Sequence, residues 1–219
     1  KIHNNLNIEN LIKTEWFNQF TIFQKEEILK GLESKVDVSI YAKTEYNEDQ
    51  MRELREGLEE NLDVSKYANP DFGWSEMNII REGLRENLDI SWYAKKEYSW
   101  TQMEQLRKGL EDNLDISWYA NPEFDWWQME QIRLGLKDNL DVSIYANPDL
   151  ANYQMREIRK GLEANLDASI YAKPEYSTEQ MKEIRLGLKD NLDVSIYAKP
   201  EFDGKQMLEI RESLKNNAE

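Results

Sequence analysis

Cysteine is absent from this 219-residue chain and histidine occurs once, as His3. Without cysteine there is neither a disulfide framework nor a thiolate metal site. With a lone histidine, no imidazole base stands ready for the Asp, Ser and Tyr side chains that recur along the sequence. His3 itself reads as a terminal polar residue. The metal chemistry that remains is an all-carboxylate site for magnesium or calcium. Neither the calcium-loop spacing nor a Gly-rich phosphate loop occurs, and carboxylates are too frequent for any one pair to mark a site. The expectation is no catalytic residue, no metal, no cofactor and no enzyme. No apolar run approaches the roughly 20 residues that span a bilayer, and no cleavable leader is visible. A cytoplasmic protein without membrane contact is expected. The chain opens on Lys1 and not on methionine, so residues upstream are expected as well.

Positive charge is also scarce. Lys and Arg number 28 against 43 Asp and Glu, a net charge of −15. A nucleic-acid binder should carry a basic stripe, so nucleic acid is not the expected partner. Acidity favours solubility first and a basic protein partner second. The basic residues read as interspersed through every unit of the chain.

What is there is a repeat. The pair Gly57-Leu58 recurs at 83–84, 109–110, 135–136, 161–162 and 187–188, stands earlier at 31–32, and ends as Ser213-Leu214, always 26 residues apart. Periods of this length mean a helical array in which each unit packs on its neighbours. In the unit that begins at Asp125, Asp125 is an N-cap and Gln128 the reciprocal residue of a capping box. The cap runs Thr21, Asn47, Gly73, Ser99, Asp125, Ala151, Ser177, Asp203, with only Ala151 a poor capper. An apolar residue before each cap and a methionine just after each box, such as Phe124 and Met129, form a hydrophobic staple. Met129, Ile132 and Leu136 continue the apolar face at helical spacing. Gly135 costs about 1 kcal/mol in a helix interior, and its recurrence is expected to reflect close approach of a neighbouring backbone. Asn139 is expected to close the long helix in a left-handed conformation. Asp141 then caps a second, short helix through Ala146, and a proline follows in five units. Arg133 and its equivalents are expected to form inter-repeat ion pairs with carboxylates at the turns.

The fold expected is therefore all-α: a right-handed superhelical solenoid of about eight 26-residue helix-turn-short-helix repeats. Residues 1–20 read as a degenerate N-terminal capping unit, 21–202 as seven repeats, and 203–219 as a C-terminal capping helix, all one continuous domain.

The pattern Gln-Met-x-x-Ile-Arg-x-Gly-Leu followed by Leu-Asp-Val-Ser-x-Tyr-Ala, as at 128–136 and 140–146, resembles a short helical repeat of largely uncharacterised proteins from Gram-positive bacteria, their phages and mobile elements. The resemblance covers residues 21 to 219. It implies a bacterial or phage setting and names no activity. The family pattern commonly has glycine where this chain has Asn61 through Asn191, a difference that touches the turn alone.

Information in an array lies where the copies disagree. The first helical position runs Ile22, Glu48, Trp74, Trp100, Trp126, Asn152, Thr178, Gly204, and Trp127 and Tyr153 lie one residue further on. The middle of the short helix holds Trp92 and Trp118 where most copies have isoleucine. An aromatic ladder over the central units results, formed by Trp74, Trp100, Trp126, Trp127, Trp92, Trp118 and Tyr153. For Trp92 and Trp118, which replace isoleucine, filling a gap between the two helices is expected at least as much as binding. For the others, which replace polar residues, a hot-spot patch for a protein partner is the stronger expectation. The function expected is a non-enzymatic interaction module. The alternative is a phage or mobile-element inhibitor of a host defence or nucleic-acid-processing enzyme, anti-restriction or anti-CRISPR-like, whose acidity would occupy a basic channel.

Overall fold

The computed structural model describes residues 5–218, and His3 lies outside them. All described regular structure is helical: α1 (Asn5–Leu11), α2 (Glu15–Asn18), α3 (Ile22–Glu33), α4 (Glu48–Glu59), α5 (Trp74–Arg85), α6 (Trp100–Glu111), α7 (Trp126–Lys137), α8 (Asn152–Glu163), α9 (Thr178–Lys189) and α10 (Gly204–Ala218). The chain divides into two compact units, Lys1–Arg107 and Lys108–Glu219. In the first, α3 packs on α4 and α4 on α5; in the second, α7, α8, α9 and α10 pack each on the next.

Each long helix starts where its cap predicts. At α7, Asp125 Oδ1 accepts from the Gln128 N–H at 2.8 Å, and Gln128 Oε1 accepts from the Asp125 N–H at 2.8 Å. At α8 only half of the box forms: Ala151 offers no acceptor, but its N–H donates to Gln154 Oε1. The glutamine does more than cap. Gln128 Nε2 also donates to the Leu150 carbonyl at 2.7 Å, and Gln50 and Gln180 reach Phe72 and Phe202 in the same way. One side chain thus ties the start of a helix to the turn that introduces the next. The second link needs an amide donor, which glutamate lacks. All seven methionines are fully buried in the core.

The helix ends are equally regular. Asn61, Asn87, Asn113, Asn139, Asn165 and Asn191 all have φ between 56° and 59°, and Lys35 takes the same conformation in the first copy. Asn139 N–H donates to the Leu136 carbonyl at 3.1 Å and Leu140 N–H to that of Gly135 at 2.9 Å. These two bonds are the paired closure of a Schellman motif.

Three expectations are corrected. The short second helix is a single 3₁₀ turn, Val142–Ile144 in this unit. Asp141 caps it through the Ser143 N–H and hydroxyl. It goes no further because Tyr145 leaves helical geometry, at φ −132°, and turns its ring into the core. The glycine meets a side chain and not a backbone. A Cβ on Gly135 would overlap the Tyr145 hydroxyl and stand 2.8 Å from Val142 Cγ1. That hydroxyl donates to the Gln131 carbonyl at 2.6 Å, one turn before the glycine, and the phenols of Tyr41, Tyr67, Tyr93, Tyr171 and Tyr197 repeat the bond. Glycine therefore clears a seat for a phenol on the helix backbone.

The arginines find their main partners in the middle of the preceding helix and less often at the turns. Arg55 pairs with Glu27 at 2.8 Å, Arg81 with Glu53 at 2.9 Å, Arg185 with Glu157 at 2.8 Å and Arg211 with Glu183 at 2.7 Å. Turn carboxylates join in places, as when Glu60 meets Arg81 at 2.7 Å. The first repeat helix, α3, has Leu29 at the arginine position. The glutamate position becomes Ile79, Gln105 and Gln131 in the central copies. Arg107 instead meets Glu104, Glu82 and Glu86, while Arg159 takes the Gln131 amide oxygen at 2.9 Å and Glu163.

Candidate functional site

The capped helix start decides which side chains face water. Gln128 and Met129, at the third and fourth positions of α7, are buried, so the two residues before them project past the core. In the first unit this places Trp74 and Trp100 at the head of α5 and α6, 48% and 50% exposed. Trp92 closes the 3₁₀ turn Ile90–Trp92 and is 38% exposed. In the second unit Trp127 is 52% and Tyr153 62% exposed, at the second positions of α7 and α8, which pack on each other. Trp118 closes the turn Ile116–Trp118 and is exposed as well.

Trp126 departs from the expectation of an exposed residue. It is half-buried, its ring lying against that of Trp127 with centroids 4.5 Å apart and planes at 32°. The offset, tilted contact is a favoured aromatic geometry, so Trp126 supports Trp127 while Trp127 faces water. At the same position Ile196 is exposed, while Ile40, Ile144 and Ile170 are half-buried, so the site lies at the edge of the core.

Sequence reading passed over the start of α3. Ile22 and Phe23 are strongly exposed at the same two helical positions, and Trp16 on α2 is exposed with its edge against Phe20. The signal was present, because Ile22 stands first in the series that continues to Trp74, Trp100 and Trp126.

Charge is less evenly spread than it reads. Residues 151–176 and 177–202 each hold four basic residues, whereas 125–150 hold two, Arg133 and Lys137. Those two are the only basic residues from 112 to 155, against eight acidic ones. Arg133 is buried, and Lys137 lies 3.8 Å from Asp112. Glu123, Glu130 and Asp149 make no ion pair among the described residues.

The strongly perturbed groups belong to the scaffold. Burial pushes the phenols of Tyr41, Tyr67, Tyr93, Tyr119, Tyr145, Tyr171 and Tyr197 far above the usual tyrosine range. Among the described residues no three His, Asp or Glu side chains converge as metal ligands, and no helix is long and apolar enough to cross a membrane. Comparison with protein families, with curated proteins and with solved structures gives no match.

Proposed function

We propose that the chain is a right-handed superhelical solenoid of about eight 26-residue repeats, acting as a non-enzymatic module that binds a protein partner in the cytoplasm of a bacterial cell. One observation carries the reading: Trp74, Trp100 and Trp127 stand about half exposed at positions that most copies outside the centre fill with polar residues or glycine. These are Glu48, Asn152, Thr178 and Gly204 at the first position and Asp49, Glu179 and Lys205 at the second, the copy at Ile22 and Phe23 excepted. The scaffold does not need an aromatic ring there, and tryptophan is the residue most enriched at the energetic centres of protein interfaces. The resemblance to repeats of Gram-positive bacteria and their phages belongs to the same proposal.

The acidic stretch from 112 to 155 favours a second reading, an inhibitor that occupies the basic channel of a nucleic-acid-processing enzyme. Salt separates the two. Complexes captured from a native lysate should survive washing at roughly 1 M salt if apolar aromatic contacts dominate. A charge mimic should release its partner steeply as the screening length falls towards ~3 Å. Release below about 0.3 M salt would replace the first reading by the second.

A further inference from the structure

The face carried by the heads of α7 and α8 joins exposed aromatic rings to unpaired carboxylates within one compact unit. Trp127 and Tyr153 occupy equivalent positions on these two packed helices, and both are more than half exposed. Glu130 lies three residues after Trp127, which places it on the same side of α7 one turn on. Glu123 and Asp149 sit, both exposed, in the turns two residues before the caps of α7 and α8. Each aromatic residue is thus preceded by a carboxylate that no cation among the described residues pairs with. The positive end of a helix dipole would oppose a cation here. Asp125 at the cap and Glu123 before it offset that field. On α8 the position equivalent to Glu130 is Arg156, three residues after Tyr153, so the carboxylates of this face lie towards α7 and the turn before α8.

We infer that this face takes an arginine-bearing basic segment of the partner, its guanidinium groups stacking on Trp127 and Tyr153 while Glu123, Glu130 and Asp149 pair with its charge. The inference rests on the reading of the chain as a protein-binding module and adds the chemistry of what is bound. Charge complementarity selects the occupant: an apolar peptide would gain nothing from three unpaired carboxylates, and an acidic one would be repelled. Arginine suits the site because its planar, weakly hydrated guanidinium stacks on aromatic faces while its edge pairs with a carboxylate.

The test uses the whole chain and fluorescein-labelled nona-arginine, followed by anisotropy at about 0.15 M salt, an ionic strength that screens exposed charges beyond ~8 Å. Replacing Trp127→Thr and Tyr153→Thr together should weaken binding at least tenfold. The neutralised triple variant Glu123→Gln, Glu130→Gln, Asp149→Asn should do the same. A control triple, Glu48→Gln, Asp49→Asn, Asp71→Asn, removes equal charge from the repeat 47–72. That repeat is rich in acid but has no tryptophan, and the control should change affinity less than twofold. All these side chains lie outside the core; circular dichroism checks each variant, and Tyr153→Thr alone serves if the double variant misfolds. An equal loss in both triples, or unchanged affinity without the two aromatic rings, overturns the inference in favour of diffuse charge. Capture of the native partner keeps the two claims apart. If capture still needs Trp100 and Trp127 while nona-arginine ignores the face, the inference fails and the module reading stands. If capture ignores the tryptophans, the module reading itself falls.

Discussion

The seat that glycine clears for tyrosine predicts a change of sign. In an ordinary helix interior, Gly→Ala stabilises by about 1 kcal/mol. At Gly161 a Cβ would overlap the Tyr171 hydroxyl, which donates to the Glu157 carbonyl at 2.7 Å. The phenol must then move, and a buried hydroxyl left without its acceptor costs about 1–3 kcal/mol, with overpacking strain of similar size. Gly161→Ala should therefore destabilise by roughly 1–3 kcal/mol after the helical gain is subtracted. Tyr171→Phe alone should cost about 1 kcal/mol, because the carbonyl keeps its helical partner. In the Tyr171→Phe background the nearest remaining atoms are the ring Cζ at 3.2 Å and Ala168 Cβ at 3.3 Å, which a ring freed of its hydrogen bond can relieve. There Gly161→Ala should become neutral or stabilising, a coupling of ~2 kcal/mol by double-mutant cycle. The same cycle at Gly135 and Tyr145 should rescue less, since Val142 Cγ1 stays 2.8 Å from the new methyl. Urea unfolding of the four proteins decides it. Gly161→Ala equally harmful in both backgrounds, or stabilising in the native chain, would refute the seat.

Asn139→Gly should leave stability unchanged or raise it by less than ~1 kcal/mol, and Asn139→Ala should lower it by about 1 kcal/mol, because φ is 57° there; a thermal melt of each checks both. Removal of residues 151–176 should leave a folded, less stable protein in which Arg185 meets Gln131 as Arg159 now does; an unfolded product would contradict interchangeable units. The buried phenols have pKa values raised by the loss of solvation on burial, so the folded chain holds protons that the unfolded chain releases near pH 10. Stability should accordingly be intact below about pH 10 and fall above it, by up to roughly 1.4 kcal/mol per pH unit for each phenol. Tyrosinate absorbance at alkaline pH should rise together with the loss of helical circular dichroism; titration of the phenols while the helices persist would contradict their burial.

Helix limits were legible because their chemistry is local: the reciprocal bonds of Thr21 with Gln24 or Ser177 with Gln180 span three residues, and the Asn turn spans one. What escaped was contact at longer range. Gly135 and Tyr145 both recur in every complete copy, ten residues apart, but only the path of the 3₁₀ turn brings the hydroxyl over the glycine. The arginine pairing spans 28 residues, slightly more than one repeat. The one copy that departs is the first, with Leu29 at the arginine position. The second bond of Gln128, to the Leu150 carbonyl, explains a preference for glutamine that the capping box leaves open, and Glu76, behind a glycine cap, marks the exception. The candidate surface was legible as a set of residues. Its support was not, because nothing in the sequence distinguishes the half-buried Trp126 from the exposed Trp127 beside it.

The central claim is that buried residues repeat to hold the array while exposed aromatic residues vary to bind. Replacing Trp100 and Trp127 together by threonine tests it most directly, with thermal melts and partner capture measured on the same preparations. Surface positions of this kind predict a stability change within about 0.5 kcal/mol per site, together with loss of partner capture by at least ~2 kcal/mol, roughly thirtyfold. A variant that melts much earlier yet still captures its partner when folded would contradict the account, because the tryptophans would then be packing and the binding face would lie elsewhere.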